Sequence, residues 1–362
     1  MNYTDPEELL QKNLPLNFKR DGMDLSPTLY ALLLEQLSRK PGFAPDSYGL
    51  GGMIHDFETK VAQKLGKEKA IFIPTGTMAN HIAFRQHCRI AKRAIVQYES
   101  HINRDSGDCV TSLSGINLLT LGGKNVIFSK QELLAVIDDS ADGKVKTPIG
   151  VLSLETPVRR SHLRRIPFSR IKEVCAIAKD RGIALHLDGA RLFIDAAFSG
   201  RSVMEYTRLF DTVYLSLYKS FNSVSGAILA GDAVLIDGLH NERRMLGGGL
   251  PSSWEQVAVA NYFMDGYEER YNKAKGLFEE LSRQLTAKNL FKVEALENGS
   301  NVFKMLPLRK MDPEKFGVHL AQASIKFPHW NEQAACYYVK MNDSLVYHDL
   351  SRVVSVFEKG MR

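Results

Sequence analysis

Short, wholly apolar runs alternate along this chain with stretches whose apolar residues recur at helical spacing. Ile54, Phe57, Val61 and Leu65 fall on one face of a helix that Gly66 should stop. A strand over 70–73 follows, then the turn Pro74-Thr75-Gly76, then a helix starting near Thr77 and running through Ile82 and Phe84. Ala94-Ile95-Val96 and residues 149–152 read as buried strands. Ser169 is placed to cap a helix carrying Ile171, Val174, Cys175 and Ala178. Gly182 should end that helix, and a strand over 183–187 follows at once. Runs at 212–217 and 227–230 add two more strands. Strands that are apolar throughout, alternating with helices, predict an α/β fold on a mostly parallel sheet covered on both faces.

The pattern changes after Pro251. A long helical stretch from Trp254 to about Lys288 is rich in Glu, Arg, Lys and Tyr. Two short apolar runs follow, at 302–305 and 336–341, and then a last helix from Asp349. Strands separated by helices predict a smaller α+β domain. A chain of 362 residues also exceeds what one hydrophobic core usually supports. The expected division is a large domain over 26–255 and a small carboxyl-terminal domain over 256–362, with residues 1–25 packing on the latter. There is no internal repeat and no low-complexity segment.

Composition narrows the function. Hydrophobic content of 44% and charged content of 24% are ordinary for a soluble globular chain. The net charge of +6 is not gathered into a basic, aromatic-interleaved element. Its densest run, Arg159-Arg160-Ser161-His162-Leu163-Arg164-Arg165, is short, carries no aromatic and reads as a solvated or anion-pairing loop. Nucleic acid is therefore not the expected partner. Cys88, Cys109, Cys175 and Cys336 lie far apart with no CxxC pair, so neither a zinc site nor a disulfide framework is expected. The amino terminus lacks the apolar core of a signal peptide, and no run approaches the ~18 apolar residues of a membrane span. A cytoplasmic protein is the expectation, with Cys175 a core thiol on an apolar helix face.

The chemistry concentrates at strand ends, where parallel sheets bind ligands. Asp188 follows the run at 183–187, and Lys219 follows the run at 212–217. An acid and a lysine so placed hold the two poles of one cofactor, pyridoxal 5'-phosphate (PLP). Its aldehyde needs an amine to form a covalent Schiff base, here from Lys219, and its ring nitrogen needs a carboxylate, here Asp188, to stay protonated. A lysine after an all-apolar strand is desolvated, which favours its neutral, nucleophilic amine. Gly76 and Thr77 open a helix after a strand and offer free N–H groups to a phosphate. His101, just past a strand end, is placed to lie on an aromatic ring. Arg191 carries the planar fork that suits a substrate carboxylate. Each feature alone has a plainer reading: a structural turn capped by threonine, a loop histidine, an Asp188–Arg191 ion pair, a lysine that snorkels to solvent. Their joint occurrence in this order favours the cofactor.

At these residues the chain resembles the threonine aldolase and aromatic amino acid beta-eliminating lyase family of fold-type-I PLP enzymes. The resemblance covers most of residues 45–250. It is carried by SYGLGG from Ser47, PTGTMAN from Pro74, HLDGARLF from His186, the SLYKS segment around Lys219 and RRMLGGGL from Arg243. It implies Lys219 as the Schiff-base lysine, Asp188 as partner of the ring nitrogen and His101 as the stacking histidine. It implies Gly76 and Thr77 as phosphate cradle and Arg191 as substrate clamp. Tyr48 matches a tyrosine that reaches a neighbouring subunit's site, which implies a homodimer or homotetramer with shared active sites.

The chain departs from the family's pattern in four places. Val158 stands where a histidine, a candidate general base, is expected. Leu250-Pro251-Ser252 follows the glycine run where an arginine should reach a phosphate. Lys340 stands where a second carboxylate-binding arginine is expected, and a lysine cannot make the bidentate contact. The family's amino-terminal DLRSDT-type segment is not recognisable. The implied function is a lyase cleaving the Cα–Cβ bond of a β-hydroxy-α-amino acid of the L-threonine or L-allo-threonine type. The missing histidine keeps open β-elimination, or another amino-acid transformation on this scaffold. The missing arginine and histidine together keep open a catalytically inactive binding homologue.

Overall fold

The computed structural model describes residues 4–142 and 144–361, and the described chain divides into two compact units. The larger comprises Ala44–Tyr218 and Val224–Val257. Its centre is a seven-stranded sheet of β1 (Lys69–Ile73), β2 (Arg93–Gln97), β3 (Asn117–Leu121), β4 (Val151–Glu155), β5 (Ala184–Asp188), β6 (Thr212–Ser216) and β7 (Ala227–Gly231). The spatial order is β1-β7-β6-β5-β4-β2-β3. Pairings from β3 through to β6 are parallel, while β7 runs antiparallel to both its neighbours. The expected α/β fold with a mostly parallel sheet is what forms. Strands β4, β6 and β7 are buried at every position, so helices must cover both faces.

Helix α1 (Gly52–Leu65) ends at Gly66, whose φ of 59° is the left-handed cap that glycine accommodates. Helix α2 (Gly76–His87) starts one residue before the expected Thr77, because the Thr75 hydroxyl accepts from the Met78 N–H and makes Thr75 the cap. Helix α3 (Phe168–Asp180) is capped from Pro167 rather than Ser169; Pro167 cannot donate a backbone N–H, so the break falls two residues earlier. Strand β4 starts two residues after the expected 149.

The smaller unit gathers Met1–Phe43, Lys219–Ser223 and Ala258–Arg362. It holds an antiparallel sheet of β8 (Phe291–Ala295), β9 (Val302–Pro307) and β10 (Tyr337–Lys340), with β9 in the middle. The amino-terminal segment involved runs to residue 43 rather than 25, since the helix Pro27–Ser38 packs on the helix Pro6–Asn13 and Gln36 accepts the Thr4 N–H. The single helix expected over 254–288 is two, Trp254–Met264 and Tyr267–Ala287, parted at Gly266 with φ 63°. Among the described residues no helix is long and apolar enough to cross a membrane. No cluster of His, Cys, Asp or Glu among them could hold a metal ion, and all four cysteines are free and buried.

Candidate active site

In the larger unit Gly76 and Thr77, His101, and Asp188 with Arg191 lie at or just past the carboxyl ends of β1, β2 and β5. Asp188 closes β5, in register with Glu155 at the end of β4 and with Tyr214 in β6. Its carboxylate is buried and accepts from the Asn80 side-chain amide (2.7 Å) and from the Ala190 N–H (3.2 Å). Asn80 lies on α2, so the turn at Thr75 also places the amide that meets Asp188. Arg191 is buried three residues beyond the aspartate, directly before the helix Leu192–Ser199.

Gly76 and Thr77 sit at the open amino terminus of α2, where N–H groups and the helix dipole favour an anion. Gly76 is required for a reason internal to the chain: a Cβ there would lie 1.9 Å from the Tyr214 hydroxyl. Burial and then the charge of Asp188 push that phenol well above its ordinary range.

His101 begins the short helix His101–Arg104, and its backbone N–H donates to Glu155 Oε2 at 2.6 Å. The other Glu155 oxygen accepts the Arg159 N–H at 2.8 Å. Glu155 thus ties the His101 helix to the basic loop, and two arginines of that loop, Arg159 and Arg160, reach Asp105 just past the same helix. Burial, then the neighbouring Asp188, raise the Glu155 carboxyl above its usual range, while Arg191 opposes the shift.

Val158, where the resemblance called for a histidine, is fully buried, with its N–H donated to the Arg164 carbonyl. Tyr48 is 42% exposed and has a positive φ of 53°. The RRMLGGGL segment acts on it directly. Arg243, 1% exposed, donates to the Tyr48 carbonyl (2.8 Å) and the Phe72 carbonyl (2.7 Å), and the Arg244 guanidinium lies 5.0 Å from the Tyr48 ring centre. A Cβ on Gly49 would lie 2.6 Å from the same Arg243 guanidinium, so that glycine is also fixed by packing.

The chain leaves β6 at Ser216 and enters the turn of helix Leu217–Ser220, which carries Lys219. Lys219 is 9% exposed, as an all-apolar approach predicts. In the smaller unit its turn is gripped by the amino-terminal segment. The Met23 N–H donates to Asn222 Oδ1 (2.7 Å), and a Cβ on Gly22 would lie 2.7 Å from the Lys219 carbonyl. Lys340, at the end of β10, donates to Asp21 Oδ1 at 2.9 Å, next to that glycine. Sequence reading passed over the 17–23 segment, because no family motif marks it. Its signals were Asn17, which organises the loop through Gly22, Lys19 and Arg20, and a glycine beside a buried aspartate.

A sheet of this order, with an acid and a lysine following neighbouring strands, defines the fold-type-I PLP enzyme architecture. The beta-eliminating lyase family profile matches residues 44–306, and the chain belongs to that family of PLP-dependent lyases. A low-specificity L-threonine aldolase of Candida albicans is 28% identical over 295 residues, covering 80% of this chain and 76% of that protein. A solved structure assigned as an L-allo-threonine aldolase of Listeria monocytogenes superposes with a TM-score of 0.75 at 25% identity, covering 99% of each chain. Another, assigned to the aromatic amino acid beta-eliminating lyase/threonine aldolase group of Exiguobacterium, has a TM-score of 0.79 at 23% identity, covers 98% of this chain and 99% of its own, and shares the fold.

Proposed function

We propose that this protein binds PLP and cleaves the Cα–Cβ bond of a β-hydroxy-α-amino acid of the L-threonine or L-allo-threonine type, giving glycine and an aldehyde. The observation that carries the reading is the buried carboxylate of Asp188. It closes a parallel strand, is held by two neutral donors and stands in register with a second carboxylate, on the edge where α2 opens. A cationic ring nitrogen is the partner such a carboxylate fits. When bound, PLP supplies an aldehyde that condenses with amines and a ring that takes up the electron pair of a breaking bond at the substrate α-carbon.

In this reading Asp188 holds the ring nitrogen, Gly76 and Thr77 hold the phosphate, and His101 lies against the ring. Lys219, three positions beyond Ser216 at the end of β6, supplies the amine. Arg191 would hold the substrate carboxylate through its planar guanidinium. Lys340 is the second cation for that carboxylate, and it must exchange Asp21 for the substrate to serve. Tyr48, exposed and braced by Arg243 and Arg244, serves a neighbouring copy's site in a homodimer or homotetramer. The hydroxyl proton would pass to His101 or to a water, since Val158 offers no base.

Val158 also favours a second reading, β-elimination or another amino-acid transformation on the same scaffold. One experiment separates the two. PLP-loaded protein is incubated with L-threonine, L-allo-threonine and L-serine, and acetaldehyde, glycine and pyruvate are measured. Acetaldehyde with glycine is expected; pyruvate without any aldehyde overturns the aldolase reading. The wild type should show a near-visible absorbance band on incubation with PLP that Lys219→Ala lacks. A wild type without that band supports the inactive homologue instead.

A further inference from the structure

Behind Asp188 a line of polar side chains runs through the core of the larger unit. The Asn80 amide nitrogen meets Asp188 at 2.7 Å. Asn80 Oδ1 meets His186 Nε2 at 2.9 Å, His186 Nδ1 meets Thr212 Oγ1 at 2.9 Å, and Thr212 Oγ1 meets His87 Nε2 at 2.8 Å. Asn80, His186 and Thr212 are each 1% exposed or less. The elements make the line possible. His186 and Asp188 point to one face of β5, two residues apart, and Asn80 and His87 lie two turns apart on one face of α2. Thr212 reaches in from β6, and Phe84 packs its ring edge-on against His186.

The direction of every bond follows from the end of the line. An ionised carboxylate has no hydrogen to give, so the Asn80 nitrogen donates and its oxygen is left to accept. His186 Nε2 must then carry the hydrogen. Complete burial keeps this imidazole neutral, so Nδ1 is bare and accepts the Thr212 hydroxyl. The Thr212 oxygen has spent its hydrogen and accepts from His87 Nε2. Four bonds therefore all donate toward one oxygen of Asp188, and aligned hydrogen bonds polarise one another in a low-dielectric core. The titratable groups around the two ends are Glu155, Tyr214 and Arg191 at Asp188, and Asp211 at His87.

We propose that Asn80, His186, Thr212 and His87 form a one-way hydrogen-bond relay that orients the Asp188 carboxylate toward the ring nitrogen of PLP, with His186 as its central positioning residue. The proposal rests on the cofactor reading above. None of the four residues touches substrate in this scheme. Each acts through Asp188, so loss of the relay changes the protonation of the ring and not only the strength of binding.

The test uses full-length protein and PLP labelled with 15N in the ring, read by NMR, with the PLP dissociation constant measured by fluorescence. In the wild type the ring nitrogen should resonate as a pyridinium. Asn80→Leu and His186→Phe should move that resonance toward neutral pyridine and weaken PLP binding about tenfold or more, as expected for losing hydrogen bonds that end on a charge. Thr212→Val, nearly isosteric and two links away, should give a smaller shift in the same direction. It also keeps the test open if either larger change prevents folding, which circular dichroism reports. Folded variants whose ring resonance matches the wild type overturn the relay and leave the cofactor reading intact. A wild type that binds no labelled PLP overturns the cofactor reading itself.

Discussion

At the scale of the residue, His186 shows what burial does to a side chain that sequence reading places inside an apolar run. Enclosure lowers its pKa from 6.5 to about 3, and its two nitrogens are fixed by Asn80 and Thr212. Above pH 6.5 the imidazole is neutral in both folded and unfolded chains. Between pH 6.5 and about 3 the unfolded chain takes up a proton that the folded chain refuses, so stability falls with falling pH. The full effect is on the order of 5 kcal/mol. In urea unfolding at a series of pH values, wild type should lose stability more steeply than His186→Phe below pH 6.5, by up to about 1.4 kcal/mol per pH unit. A gap between them that stays constant with pH would contradict this. The HLDGARLF segment announces Asp188 and Arg191 by residue type. It does not announce that its first histidine is a neutral link, because neutrality depends on what encloses the ring.

At the scale of the element, glycine and proline carried most of the legible punctuation. Gly66 stops α1 and Gly182 follows α3 with φ 66°, both as their positions predict. Pro167 overrode Ser169 as the start of α3. Gly266 was hidden inside a helical composition, yet it turns the chain with φ 63° between Met264 and the fully buried Tyr267. Nothing lies within 4 Å of a Cβ built there, so a side chain would cost only backbone strain. Gly266→Ala should destabilise the protein by about 1 kcal/mol in denaturant unfolding, and Gly266→Asn by less, since asparagine tolerates the left-handed region. Edge strand β3 escaped sequence reading because it is only partly buried and alternates weakly, so no continuous apolar run marks it.

At the scale of the whole molecule, the smaller unit is assembled from three separated stretches of chain. Its aromatic cluster takes Phe18 from the amino terminus and sets it near Phe278, Phe327 and Phe357, with ring centres 5.8–6.4 Å away. Its backbone bonds to Lys326 and Lys340 add this segment to the unit's hydrogen-bonded framework. Phe18→Ala should therefore cost about 3–5 kcal/mol, the range for emptying a buried aromatic site. That loss would show as a lower thermal midpoint. Because the same segment grips the Lys219 turn, a weakened absorbance band with PLP should accompany it. An unchanged midpoint would show that the amino-terminal segment is not part of the unit's core.

The sequence by itself determined the alternation of apolar strands and amphipathic helices, hence the parallel sheet. It also determined the order of Gly76, His101, Asp188, Arg191 and Lys219, since each lies at a strand end or helix start that local patterning marks. Tertiary structure alone decided which groups meet across distance. Glu155 comes beside Asp188 because β4 and β5 are neighbours, and Asn80 reaches it because α2 crosses that sheet. Asp21 takes Lys340 because the amino terminus folds onto the last strand. Periodicity is a property of adjacent residues and can be read from them. Burial, pairing and the charge state of a buried group arise from residues far apart in the chain, and exist only once the fold has brought them together.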